Sequence, residues 1–161
     1  MQRQIDAISI MMMNDDIQDN EIWEFIIDKK IPLDAAGRDG RTLLIHAIAY
    51  NRIYIVGELL KENVDISIKD NQGFTPLLAA VHQGNYAIAK ELIELGADVT
   101  AVDNWGNNAL LRVRSDDKEM AKLLLDNHCD PSRKNNFGVS AYDIFRNDDA
   151  VSDLLNRSRE N

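Results

Sequence analysis

The stretch Asp70–Val102, DNQGFTPLLAAVHQGNYAIAKELIELGADVTAV, decides the fold. It opens on a turn, Asp70 to Gly73, in which glycine is free to take backbone angles that other residues avoid. Thr75 follows as a helix cap, and Pro76 stands at the first helical position, where its missing N–H costs nothing. Leu77 to Val81 read as a short helix of small apolar residues, and Gly84-Asn85 breaks it. A second helix is predicted from about Tyr86 to Glu94, with Ile88, Ala89, Leu92 and Ile93 in the i, i+3, i+4 pattern of a buried stripe. Gly96 ends it, and Ala97-Asp98-Val99 leads out.

The same wording recurs on both sides. Gly40, Gly73, Gly106 and Gly138 fall at one position of successive units, spaced 33, 33 and 32 residues apart. One helix-turn-helix unit of this length cannot bury its own apolar face, so such units stack. The unit at 37–69 keeps the cap as Thr42, replaces the proline with Leu43, and carries Ile55, Val56, Leu59 and Leu60 as its stripe. Asn63 stands where Gly96 does, and Asn tolerates the left-handed conformation. The unit at 103–134 is one residue short near Arg114 to Asp116, caps with Asn108, and has Met120, Ala121, Leu124 and Leu125 as its stripe.

The ends differ. Residues 4–36 offer Ile5, Ile8, Met11 and Met12, then Ile22, Trp23, Ile26 and Ile27, with no turn motif in front. Residues 135–161 open on NNFGVSAYDIF, cap with Ser140, and finish with Val151, Leu154 and Leu155 before a polar tail, 156–161, that is expected to fray. Both read as caps, so the expectation is an all-α solenoid of about five units forming a single domain over residues 1–161, complete in itself.

These units resemble the ankyrin repeat family. The pattern D-x-x-G-x-T-P-L followed by G-A-D-V is met by Asp70, Gly73, Thr75, Pro76, Leu77 and Gly96-Ala97-Asp98-Val99, and the likeness runs well over residues 37–147. The resemblance implies helix-turn-helix units joined by hairpin-like fingers, and a concave face lined by finger tips and first helices. The family mostly builds protein-binding scaffolds. The histidine that usually follows the first-helix leucine is replaced by Ile45, Leu78, Leu111 and Asp143, with His46 one position later, so the polar network it supports is expected to be absent.

Composition narrows the function. Eighteen Lys and Arg stand against 27 Asp and Glu, a net charge of −9. Nucleic acid and anionic membrane surfaces are repelled, and a basic protein is the natural complement. Nothing approaches the 18 or so consecutive apolar residues of a membrane span. Cys129 is the one cysteine, which suits a reducing, cytoplasmic setting and reads as a small buried hydrophobe. His46, His82 and His128 lack metal-ligand spacing. Asp15-Asp16, Asp116-Asp117 and Asp148-Asp149 do not form a calcium loop and read as caps and a solvated rim. No phosphate-cradling loop is present. No enzyme, metal or cofactor is expected.

The resemblance puts Arg38, Arg41, Tyr50, Lys69, Gln72, Phe74, His82, Trp105, Asn107 and Phe137 on the finger and first-helix face. Aromatics on an otherwise polar surface suit a binding hot spot; alternatively Trp105 and Phe137 lean on adjacent fingers. A polarised face is expected, basic near Arg38, Arg41 and Lys69 and aromatic near Trp105 and Phe137. Three functions follow: a scaffold that holds a partner protein; an immunity or inhibitor protein that neutralises a basic toxin or enzyme, as some small stand-alone bacterial members do; or a protein that self-associates through the N-terminal helices, since Met11 to Met13 cannot all face one core. A monomer is otherwise expected.

Overall fold

A computed structural model describes residues 2–146 and 149–157. Asp148 and the tail residues 158–161 lie outside the described residues. The chain divides into two compact units, Met1–Pro76 and Leu77–Asn161.

In the first unit, α1 (Gln2–Met13) packs on α2 (Asp19–Asp28) and on α3 (Leu43–Ala49), while α4 (Ile53–Lys61) packs on α2 and α3. The predicted stripes form the core: Ile5, Ile8, Met12, Ile22, Ile26, Ile55, Val56 and Leu59 are all buried. The methionine run splits as its spacing requires, with Met12 buried, Met11 half-buried and Met13 exposed. Ile27, placed in the stripe by its sequence position, is exposed. It lies one residue past Ile26, about 100° around the helix, beyond the edge of the apolar face. Helix α3 is short but enclosed, and every residue from Leu43 to Ile48 is buried.

Arg52 is the tie that the sequence does not announce. Its guanidinium donates to the carbonyls of Met12 (2.9 Å), Asn14 (2.7 Å) and Ile17 (3.2 Å) and to the Asp19 carboxylate (3.2 Å). Met12 lies at the C-terminal end of α1, where carbonyls lack intrahelical partners, and the same planar fork also reaches the segment that follows.

The second unit contains most of α5 (Pro76–Gln83), then α6 (Tyr86–Glu94), a 3-10 turn (Ala109–Arg112), α7 (Lys118–Asp126), α8 (Ala141–Ile144) and α9 (Asp149–Arg157). Helix α7 packs on α6, on the 3-10 turn and on α9. Leu77, Ile88, Ala89, Leu92, Leu110, Met120, Ala121 and Leu124 are buried. Ile93 and Leu125, expected in the core, are half-buried. They share one repeat position with Leu60, at the margin of the stripe. The missing residue of the 103–134 unit also has a structural outcome. Its first helix is reduced to a 3-10 turn of four residues.

Candidate protein-binding surface

Each finger is built by one side chain at its start. Asp70 Oδ1 accepts from the N–H groups of Gln72 and Phe74, both at 2.8 Å. Asp103 Oδ1 does the same for Trp105 and Asn107, both at 2.9 Å, and Asn135 Oδ1 for Phe137 and Val139, both at 3.0 Å. Backbone bonds such as Asp70 N–H to Phe74 C=O at 2.9 Å close the loop. Neighbouring fingers are then locked by an asparagine. Within the first unit, Asn71 donates its N–H to Asp39 C=O at 2.8 Å and its amide to Arg38 C=O at 2.9 Å. Within the second, Asn136 donates to Trp105 C=O at 2.9 Å and to Asn104 C=O at 3.1 Å. Gly106 permits this approach: a Cβ there would stand 2.6 Å from the Asn136 amide oxygen, and its φ is +78°. The finger tips are thus a braced backbone, which presents side chains without a large ordering cost.

The first finger departs from the rule, because Gly37 stands where the others have Asp or Asn. Asp39 acts instead, accepting from the Arg41 N–H at 3.1 Å. The space left by Gly37 is occupied: a Cβ would meet Asp39 Oδ1 at 3.1 Å and His46 Nε2 at 3.5 Å. His46 is buried, with Nδ1 3.3 Å from Ser9 Oγ and Nε2 3.7 Å from Asp39 Oδ1. This corrects the expectation that the first-helix polar network is missing; His46 builds one from the next position. Burial lowers its pKa from the ordinary 6.5, with Arg41 helping and Asp39, Asp6 and Asp70 opposing. Tyr50 stacks parallel to the His46 ring, with centroids 6.1 Å apart, and is half-buried.

The other basic and aromatic positions of the first unit divide. Arg41 Nε lies 3.3 Å from the buried Asp70 carboxylate and 3.5 Å from Asp39. Arg38 is exposed, 3.4 Å from Asp6. The expected basic end therefore carries its own counter-charges. Lys69 and Gln72 are exposed and Phe74 is half-buried.

In the second unit His82 is exposed at the end of α5. Asn107 is a strut. Its amide donates to the Asp103 carboxylate at 3.1 Å, and its oxygen accepts from Asn135 at 2.7 Å. Asp103 is buried and is met by Arg112, whose Nε donates at 3.0 Å and whose Nη2 also donates. Burial works to raise the Asp103 pKa, but the bonds from Arg112 and Asn107 outweigh it and the net shift is downward. The same guanidinium lies 5.7 Å from the centroid of the Trp105 ring, a cation–π contact. Trp105 is 39% exposed and Phe137, on the adjoining finger, is 73% exposed. The Trp105 ring thus rests on Arg112 of its own repeat, not on an adjacent finger, while keeping an open face.

Arg112 was not foreseen as part of the site, nor was Ile144, exposed at the end of α8. The sequence signal for Arg112 was its register: it occupies the same repeat position as His46.

The remaining candidate groups are structural. Asp65, Asp98 and Asp130 each accept from the N–H and hydroxyl two residues on, in Ser67, Thr100 and Ser132. Asp117 caps α7 through Met120 N–H at 2.9 Å, and Asp15 lies 3.8 Å from Arg52. Cys129 is buried, and burial pushes its thiol up to about 11, so the thiolate needed for reactivity is scarce at neutral pH. Among the described residues no group of His, Cys, Asp and Glu is arranged to hold a metal ion, and no helix is long and apolar enough to cross a membrane.

Stacked helix pairs joined by hydrogen-bonded fingers define a helical-repeat protein. A family model for ankyrin repeats, in three copies, matches residues 10–103 and 68–135, and the chain belongs to the ankyrin repeat family. No curated protein matches it. Ankyrin repeats mediate protein–protein interactions on a non-catalytic scaffold.

Proposed function

We propose that this protein holds a partner protein on its finger and first-helix surface, with Trp105 and Phe137 as the anchors. The observation that carries the proposal is the pair itself. Two large aromatic rings, one 73% exposed, stand on adjoining fingers whose backbones are fixed by hydrogen bonds. Rigid aromatic area with a polar rim is what an interface anchor requires. Asn104 and Asn136 supply polar rim groups. The proposal includes a cytoplasmic setting.

A pull-down with the Trp105→Ala/Phe137→Ala variant tests it. Loss of two anchors is expected to weaken capture at least thirtyfold, since each hot-spot ring is worth about 2 kcal/mol or more. Retention of every specific partner by a folded variant removes this surface from the account.

Two further readings stay as proposals. The net charge of −9 supports neutralisation of a basic toxin or enzyme. Exposure of Ile10 and Met13 on α1 supports self-association of the N-terminal helices. Sedimentation across a range of concentrations tests the second; a strict monomer throughout ends it.

A further inference from the structure

We propose that the segment docking on the Trp105–Phe137 surface is acidic and carries one bulky apolar side chain, and that Arg133 and Lys134 select its charge. The inference rests on the docking reading above and adds the chemistry of the occupant.

Many of the cations of this chain are met by its own acids. Arg38 faces Asp6, Arg41 faces Asp70, Arg112 faces Asp103, Arg146 faces Asp143, and Lys90 and Lys122 face Glu94 and Asp126. Arg133 and Lys134 are among those that are not so met. Both are exposed, and among the described residues neither forms an ion pair. Asp130 and Asp143 feel the charges of Arg133 and Lys134 respectively, but their hydrogen bonds to side chains go to other groups. Asp130 is held by the N–H and hydroxyl of Ser132, and Asp143 by Ser140 and Arg146.

These two cations precede the finger that carries Phe137. Lys134 immediately precedes Asn135, whose N–H meets Val139 C=O at 2.9 Å to close the turn. Phe137 comes three residues after Lys134, at most about 10 Å of extended chain. The most exposed aromatic of the chain therefore follows closely on two exposed cations that form no ion pair among the described residues. A carboxylate within a few residues of an apolar anchor completes both at once.

The net charge of −9 does not override this. It is spread over the whole surface, and at physiological salt a charge is screened beyond about 8 Å. At contact the local cations decide, while the global charge acts on distant approach.

The test selects 12-residue random peptides displayed on phage against the intact chain, then measures the enriched peptides by fluorescence anisotropy at two salt concentrations. The expected peptides are net acidic with at least one bulky apolar residue. Their dissociation constants rise about tenfold or more with Phe137→Ala and with Arg133→Glu/Lys134→Glu, and also rise with salt. Thermal melts confirm that the variants are folded; Arg133→Gln/Lys134→Gln replaces the charge reversal if that variant melts early. Enrichment of basic or neutral peptides that require Phe137 overturns the charge inference and leaves the docking surface standing. Peptides indifferent to Phe137, or no enrichment, overturn the inference; indifference to Phe137 also counts against the docking surface. A concentration-dependent dimer of the chain that Phe137→Ala abolishes identifies the occupant as a second copy and likewise overturns it.

Discussion

His46 and Arg112 occupy one repeat position in the two units, and they solve one problem in two ways. In the first unit the finger starts with Gly37, so no carboxylate lies at its base; His46 fills the space and is favoured in its neutral form by burial. In the second unit the finger starts with Asp103, whose carboxylate is buried. A buried carboxylate needs a lasting counter-charge, and only arginine supplies one with a planar fork. Each polar side chain then carries an aromatic one: His46 lies against Tyr50, and Arg112 under Trp105. In these two repeats a glycine opening goes with a neutral-favouring histidine beneath it and an aspartate opening with an arginine, and each lies beside an aromatic ring.

The comparison is broken most directly at Arg112. Arg112→Ala leaves Asp103 buried with Asn107 and two backbone N–H groups, and is expected to cost about 3 kcal/mol in urea unfolding, the low end for a broken buried pair. Arg41→Ala removes a single Nε contact at 3.3 Å from Asp70, and is expected to cost about 1 kcal/mol. Adding Asp103→Asn to Arg112→Ala should recover part of the larger loss, because the uncompensated charge goes with it. Equal costs for the two arginines would show that the two carboxylates are held alike and that the contrast between the units is not energetic.

Acid sensitivity sharpens the contrast further. The folded pKa of His46 lies below its ordinary 6.5. The unfolded chain therefore binds the proton more readily, and this residue's share of stability is intact above about pH 6.5 and falls as pH drops below it. The folded pKa of Asp103 also lies below its ordinary value, here 3.8. Its share is present above that value and is lost only as pH falls further, through the folded pKa. Unfolding free energy measured from pH 7.5 to pH 3 should thus decline first in the His46 window and later in the Asp103 window. His46→Gln should flatten the first decline and leave the second, whereas Asp103→Asn should do the reverse. A first decline that survives His46→Gln assigns it to another group.

Much of this fold was legible in the residues because its signals are local. A cap, a turn and an apolar stripe each depend on spacing along one chain segment, and Thr42, Asn108 and the Leu59, Leu92 and Leu124 series sit as their spacing predicts. Ser140 is a partial case: its N–H and hydroxyl donate to Asp143 Oδ2 at 2.9 and 2.6 Å. What escaped depends on neighbours distant in sequence. Arg52 reaches carbonyls 35 to 40 residues away, and nothing near Arg52 marks it. His46 needed both Gly37 and Ser9. For the site, the aromatic tips were readable from register, but the pairing of Arg41 with Asp70 and of Arg112 with Asp103 was not, since each joins a finger base to a side chain whose direction spacing does not give.

The two caps give a smaller test. Thr42 Oγ1 accepts from Ile45 N–H at 3.3 Å, and Thr42→Ala is expected to cost about 1 kcal/mol. Asn108 accepts from Leu111 N–H at 3.2 Å and also donates to Asp130 C=O at 2.7 Å. Asn108→Ala removes both, and should cost about 2 kcal/mol, the sum of a cap and a buried hydrogen bond. Matching losses in urea unfolding would mean that the Asp130 carbonyl is satisfied without Asn108.

The smallest effect lies where the second helix of each repeat ends. Asn63, Gly96 and His128 share this position, with φ of 55°, 90° and 67°. A left-handed conformation costs an ordinary L-residue about 1–2 kcal/mol, and asparagine less. Replacing such a residue with glycine removes that strain but adds backbone freedom to the unfolded chain, a cost of about 0.5–1 kcal/mol. For exposed His128 the strain is the larger, so His128→Gly should stabilise the chain by about 0.5 kcal/mol. For Asn63 the two effects nearly cancel, and Asn63→Gly should change stability by no more than a few tenths of a kcal/mol. Thermal melts of both variants against the parent check the pair. A His128→Gly variant that melts below the parent would show that the imidazole contributes more to the end of α7 than the strain it bears.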